Sequence, residues 1–213
     1  MDRATPLPDD LAQRYRDWRA KGFPAKAELY ETLVRDGQSP VAMMISCSDS
    51  RVSPTTLFGT DPGEFFVHRN VASLVPPHDP DGDFHGTAAA VEFAVGSLKV
   101  PHLIVMGHSG CGGVAGCHAM CSGDAPHLEK RESYLGRWIG ILKPGYERMQ
   151  NAGTGDVGAL EKEAVRLSLR NLMSYPFVSD AVEAGRLELH GLWNDIGAGG
   201  IEMLSADGSF AAL

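Results

Sequence analysis

The sequence predicts an α/β fold: a mostly parallel central β-sheet flanked by helices, with an N-terminal helical arm and a helical C-terminal half. Three observations predict it. Two short apolar runs without polar alternation, Val41–Ile45 and His102–Met106, suit strands buried on both faces, as in parallel sheets. A helical pattern over Thr87–Lys99 lies between them, and a strand–helix–strand rhythm covers such a sheet with helices. The first 35 residues carry two further helical segments, which form the arm.

Taken in order, Asp9-Asp10-Leu11 opens an amphipathic, charge-rich helix to about Lys21, where Gly22 is expected to stop it. Ala25–Arg35 reads as a second helix, with Leu29, Leu33 and Val34 on one side, ended by Asp36-Gly37. Val41–Ile45 is the first strand and Phe65–Val67 the next. A Pro-, Gly- and Asp-rich loop runs through Val75–Gly86. In the helix that follows, Ala90, Val91, Phe93, Ala94, Val95 and Leu98 make a broad apolar face. Leu128–Ser174 reads as largely helical with one break at Lys143-Pro144-Gly145. Leu187–Leu192 and Ile201–Leu204 close the chain as strands, and Asp207-Gly208 marks a turn. No internal repeat, low-complexity tract or linker interrupts the 213 residues, so one domain spanning 1–213 is expected.

Composition narrows the function classes. A formal charge of −8 argues against nucleic acid or an anionic membrane surface as partner, while leaving a neutral substrate unhindered. No apolar run reaches eighteen residues, and the amino terminus, Met1-Asp2-Arg3-Ala4-Thr5-Pro6, has no apolar leader core. A cytoplasmic protein is expected. Its four cysteines, Cys47, Cys111, Cys117 and Cys121, then point to metal or free thiols rather than disulfides. Cys117 and Cys121, four apart in a helical stretch, read as small buried apolar side chains.

The chemistry concentrates in Cys47-Ser48-Asp49-Ser50-Arg51 and His108-Ser109-Gly110-Cys111. Cys47 follows one expected strand and His108 another, and open parallel sheets bind ligands beyond the carboxyl ends of their strands. Gly110, Gly112 and Gly113 let the backbone turn tightly enough to bring Cys111 to the same ion as His108. Two thiolates and an imidazole suit zinc, and three protein ligands leave a position open for water. A helix starting near Gly113 would favour thiolate with its positive end. Asp49 and Arg51 add an acid and its partner cation beside the first ligand. Together these residues point to a metal-activated hydroxide.

Those segments resemble the beta-class carbonic anhydrases, and the resemblance covers roughly residues 35 to 205. It includes Pro62-Gly63-Glu64, His68-Arg69-Asn70-Val71-Ala72, Gly86-Thr87, Val91-Glu92-Phe93-Ala94-Val95, Gly107–Gly113 and Leu189-His190-Gly191. The resemblance implies a zinc enzyme, one Zn2+ per subunit, that interconverts carbon dioxide and bicarbonate as a dimer or a dimer of dimers. The 1–35 arm would then pack on a partner subunit. By position, Cys47, His108 and Cys111 resemble the zinc ligands and Asp49 with Arg51 the catalytic pair; Asp49 is also a possible fourth ligand in a closed state, favoured at lower pH.

Val75-Pro76-Pro77 and Gly86-Thr87 are similar to the plant-like branch. Its carbon dioxide pocket maps onto Gln38, Phe66, Val71, Phe93 and Gly112, with Gln38 reaching across the dimer and Phe93 standing where some relatives carry tyrosine. Another branch holds inhibitory bicarbonate with Trp, Arg and Tyr; here the first and last positions are Met44 and Asn194, although Arg69 is retained, so no such site is expected. Hydrolysis of carbonyl sulfide or carbon disulfide on the same ligands is the alternative activity, and a non-catalytic zinc-binding module a more distant one. The other seven histidines, His68, His78, His85, His102, His118, His127 and His190, single out no proton shuttle.

Overall fold

A computed structural model describes residues 4–213. Met1–Arg3, which belong to the expected arm and to the terminus read for a leader, lie outside the described residues. The chain divides into two compact units, Met1–Gln38 and Ser39–Leu213.

In the first unit, helix α1 (Asp9–Asp17) carries Asp9 and Asp10 in its opening turn, where carboxylates complement the helix dipole. A π turn (Trp18–Gly22) and a 3-10 turn (Phe23–Lys26) lead into α2 (Ala27–Asp36). The expected stop at Gly22 does not occur. Gly22 stays right-handed, at φ −86° and ψ −46°, and the helical path breaks at Lys26 instead. Gly22 serves packing: a Cβ there would lie 2.9 Å from the Trp18 ring. Gly37 does end α2, with φ at 86°. None of these helices has a buried residue, although Trp18 and Tyr30 both touch Phe23, with ring centroids 5.7 and 5.6 Å from it.

The second unit is built on six strands: β1 (Ala42–Cys47), β2 (Phe65–Asn70), β3 (His102–His108), β4 (Glu188–Asp195), β5 (Gly200–Leu204) and β6 (Phe210–Ala212). Their order is β2-β1-β3-β4-β5-β6. The first four run parallel and the last two antiparallel. The turn at Asp207-Gly208 links β5 to β6, a strand too short for its apolar pattern to register. Alternation splits each strand between two faces. Met43, Ile45, Leu103 and Val105 belong to the larger core, and Met44, Met106 and Leu192 to a smaller one on the opposite side.

Helices α3 (Pro54–Leu57), α4 (His85–Glu92), α5 (Gly112–Cys121), α6 (Tyr134–Ile139), α7 (Lys143–Asn151), α8 (Val157–Leu172) and α9 (Pro176–Glu183) complete the unit. The helix expected over Thr87–Lys99 begins two residues earlier and widens into a π turn over Phe93–Leu98, ending where Lys99 turns left-handed. The break at Lys143-Pro144-Gly145 becomes a helix start. Pro144 occupies the first turn of α7, where its missing N–H costs no hydrogen bond. The sequence reading missed α9, which Pro176 opens in the same way. Helix α8 lies on the larger-core face of β3 and β4. Gly107 and Gly191 allow the approach, since a Cβ on either would come within 3.0 Å of Val165.

Candidate metal centre

Cys47 is the last residue of β1 and His108 the last of β3, and these strands are neighbours in the sheet. Cys111 caps the N-terminus of α5. One ligand atom from each of the three lies within 4.8 Å of the others, and all three residues are buried. The arrangement comes from local backbone rules. Two parallel strands end side by side, and Gly110, at φ 65°, lets the chain reverse into α5 in a left-handed conformation that a side chain would strain.

Each donor is oriented by groups behind it. The Cys47 sulfur accepts hydrogen bonds from the amides of Ala72 (3.3 Å) and Asp49 (3.4 Å). Ala72 holds a left-handed conformation at φ 65°, costly for a residue with a Cβ and found where surroundings over-determine it. Gly113 packs against this turn: a Cβ there would lie 2.6 Å from Val71 and 3.0 Å from the Ala72 methyl. The Cys111 amide donates to Glu161 on α8 (3.1 Å), whose second oxygen accepts from the Trp193 indole (3.3 Å). His108 Nδ1 donates to the Ser109 carbonyl at 3.0 Å, while Nε2 is buried without a partner.

This donor set fits a zinc ion. The Ser109 carbonyl fixes the His108 tautomer and leaves a lone pair on Nε2, as in histidine ligands oriented from behind. Hydrogen bonding to Cys111, with the two backbone amides, lowers the Cys47 thiol. The neighbouring Cys47 sulfur and burial push Cys111 up, because two adjacent thiolates repel. A divalent cation between them would favour thiolate on both. Burial alone would lower the His108 ring, but the Cys47 sulfur and the Ser109 carbonyl raise it overall.

Asp49 and Arg51 meet beside this cluster. The guanidinium grips the carboxylate with two bonds, Nε at 3.0 Å and Nη2 at 2.7 Å, and the Arg51 amide adds a third at 2.9 Å. These bonds hold the Asp49 carboxyl well below the usual carboxylate range. Arg51 Nη2 also donates to the Gly110 carbonyl at 3.0 Å, tying the loop after β1 to the loop after β3. Asp49 is therefore paired with arginine and stands outside the three-ligand group.

The expected pocket residues fall into separate places. Gly112 follows Cys111, and Val71 touches the ligand turn through Gly113. The Val71 carbonyl accepts from the Trp138 indole at 2.7 Å, and a cleft of about 430 Å³ beside Ser48 and Val71 is lined further by Thr87 and Trp138. A larger cavity of about 550 Å³, along Pro76, Pro77, Phe84 and Tyr175, holds none of the three ligands. Phe66 and Phe93 pair with each other, centroids 5.7 Å apart. Phe66 sits opposite Met43, four residues before the Asn70–Cys47 pair, or about 13 Å along the strand. Gln38 ends the first unit and is exposed there.

Two contributors escaped the sequence reading. Arg69, weighed only for bicarbonate, donates to the carbonyls of Cys47, Asp49 and Val52 at 2.7–2.9 Å, so its guanidinium braces the Cys47–Val52 loop. Met44 and Asn194 are both buried. Glu161 was legible in principle: with Val165, Ser168 and Leu172 it lies on a buried stripe of α8, a costly place for a carboxylate that holds nothing. Cys117 and Cys121 are free thiols that are not members of the three-ligand group, with sulfurs 4.0 Å apart. Burial pushes Cys117 up to about 12, as expected of a packing residue.

Known proteins share this architecture. A family model described as carbonic anhydrase matches residues 42–201. The chain is 32% identical to beta carbonic anhydrase 3 of Arabidopsis thaliana over 195 residues, covering 89% of this chain and 74% of that protein. The structure resembles that of the beta-carbonic anhydrase CcaA, with a TM-score of 0.86, 27% identity and coverage of 96% and 91% of the two chains. It also resembles a tetrameric beta-carbonic anhydrase of the filamentous ascomycete Sordaria macrospora, at TM-score 0.76 and 31% identity, covering 96% and 98%.

Proposed function

This chain belongs to the carbonic anhydrase family, and from that premise we propose how its residues divide the work. It is a zinc enzyme of the beta class that interconverts carbon dioxide and bicarbonate, and its Arabidopsis relative is consistent with the plant-like branch. Hydrolysis of carbonyl sulfide or carbon disulfide is not favoured.

Cys47, His108 and Cys111 would hold the zinc. Bound there, zinc supplies Lewis acidity, bringing the pKa of a water ligand from about 15.7 toward 7. Asp49 accepts a hydrogen bond from the attacking oxygen and so aims a lone pair at carbon dioxide. Arg51 acts as a positioning residue: its fork fixes the carboxylate plane and keeps Asp49 away from the metal ligands. Released from Arg51, Asp49 would be free to become a fourth ligand and close the site, a state favoured by acid. Val71 and Gly112 give apolar surface beside the ligands; on the strength of the sequence resemblance, Phe66 and Phe93 are proposed as further pocket residues, with Gln38 reaching across the dimer. With the Arg69 guanidinium engaged by three carbonyls, no inhibitory bicarbonate site is assigned.

A homo-oligomer, dimer or dimer of dimers, is the proposed assembly, with residues 1–35 as an arm on a partner subunit. Helices without a buried residue support this, since Leu11, Tyr15, Trp18 and Val34 all remain exposed. A cytoplasmic location is likewise proposed; no helix among the described residues is long and apolar enough to cross a membrane.

One observation carries the assignment: three metal-ligating side chains converge beside an arginine-clamped aspartate. Stopped-flow carbon dioxide hydration combined with zinc stoichiometry tests it. Arg51→Ala should keep about one zinc per chain and lose at least about 100-fold in turnover, in line with the removal of proton-handling groups. Undiminished turnover in that variant would refute the role of the pair.

A further inference from the structure

The opposite end of the sheet gathers a second set of metal-ligating atoms. His102 opens β3 and Glu188 opens β4, and the parallel register sets them opposite one another, with His190 level with Ile104. Residues two apart on a strand share a face, so all three side chains stand together. His102 Nδ1 lies 3.1 Å from His190 Nε2, and Glu188 Oε2 lies 3.5 Å from the first nitrogen and 3.8 Å from the second. The three atoms form a compact triangle at the solvent-facing rim, separated from His108 by the length of β3, about 20 Å.

We propose that His102, Glu188 and His190 form a second metal site, specific for a divalent transition-metal ion of the zinc, nickel, cobalt or copper group. Two imidazoles and one carboxylate are the ligand mix such ions take, while magnesium and calcium prefer oxygen throughout. Two nitrogens each about 2.0–2.1 Å from one ion, at near-tetrahedral angles, stand about 3.3 Å apart, close to the spacing found. The rings are tilted 52° to each other, which lets the two nitrogens face one point instead of stacking the planes. Burial, reinforced by the adjacent His102, lowers the His190 ring, favouring the neutral imidazole a metal requires. Solvent at the rim supplies the remaining ligands, and the net charge of −8 draws cations toward the chain. The competing role of these residues is a histidine pair hydrogen-bonded beside a carboxylate, with no affinity for metal.

Nickel titration of tag-free, zinc-loaded protein by calorimetry, with visible absorption recorded in parallel, separates the two. The expected result is one nickel per chain beyond the resident zinc, without sulfur-to-metal charge-transfer absorption, and carbon dioxide hydration unchanged. His102→Ala and His190→Ala should each weaken that binding at least tenfold while leaving hydration and the circular dichroism spectrum as in the parent. Glu188→Gln should weaken it less. No extra nickel at millimolar concentration, binding that survives in both histidine variants, or charge-transfer bands showing capture by Cys47 and Cys111 would each overturn the proposal.

Discussion

Strand β3 ends in two histidines that live in different physical worlds. His108, at the carboxyl end, is 1% exposed; one ring nitrogen is committed to the Ser109 carbonyl and two cysteine sulfurs face the other. His102, at the amino end, has a side chain 44% exposed and shares solvent with His190 and Glu188. Ligand spacing is comparable at the two ends, and what differs is everything behind the ligands. Around His108 there are amides on sulfur, a buried glutamate, an arginine fork and a turn forced into a left-handed conformation. Around His102 there is strand register and water. Donor geometry alone can hold a cation, whereas burial and second-layer bonds turn the cation's charge into chemistry.

The same substitution at the two histidines should have the largest difference in effect. His108→Ala should lose carbon dioxide hydration and the zinc bound by Cys47 and Cys111 together, by metal analysis and stopped flow, whereas His102→Ala should keep both that zinc and hydration. Equal losses in the two variants would mean the ends are not independent.

Removing a supporting layer should cost less than removing a ligand. Glu161→Gln keeps the shape but weakens the acceptor for the Cys111 amide. Zinc affinity, read by competition with a chromogenic chelator, should fall about 10–100-fold, the usual range for such partners. Gly113→Ala drives a methyl into Val71 and Ala72. Overpacking of this kind costs about 1–3 kcal/mol, to be read as a lowered denaturation midpoint accompanied by reduced turnover.

A smaller effect belongs to the solvent-facing end. Burial lowers the His190 ring below its ordinary value of 6.5, so the folded state resists a proton that the unfolded chain accepts. That contribution to stability is complete above pH 6.5 and is lost as pH falls below it. Thermal melting without added metal should therefore show a midpoint that drops from pH 7 to pH 5, and His190→Gln should flatten part of the drop. His68, also lowered by burial, contributes in the same direction. An unchanged slope in the variant would remove His190 from the account.

The two ends of β3 differ as well in how far the sequence announces them. Cys47, His108 and Cys111 were legible because each sits where local pattern is strongest: the end of a buried strand, or a glycine-flanked helix cap. Val41–Ile45 and His102–Met106 read as strands for the same reason, their apolar runs leaving no other period. The second cluster was invisible, because His102 and His190 lie 88 residues apart and meet only through the register of β3 on β4. Arg69 escaped for a similar reason, its three acceptors being backbone carbonyls that no residue type announces. Gly22 misled because a glycine that ends a helix and one that admits a neighbouring ring look alike until Trp18 is in place.

The Arg69 brace has a consequence for how the enzyme is assembled. Three carbonyls of the Cys47–Val52 loop are fastened to one guanidinium from the neighbouring strand, so bonds within the polypeptide brace the shape of that loop. Chelation should then silence the protein without melting it: far-ultraviolet dichroism stays constant, and returning zinc restores activity within mixing and binding times, with no refolding lag. Maturation becomes a matter of supply, in which a finished vessel waits for its metal and its activity follows the free zinc around it.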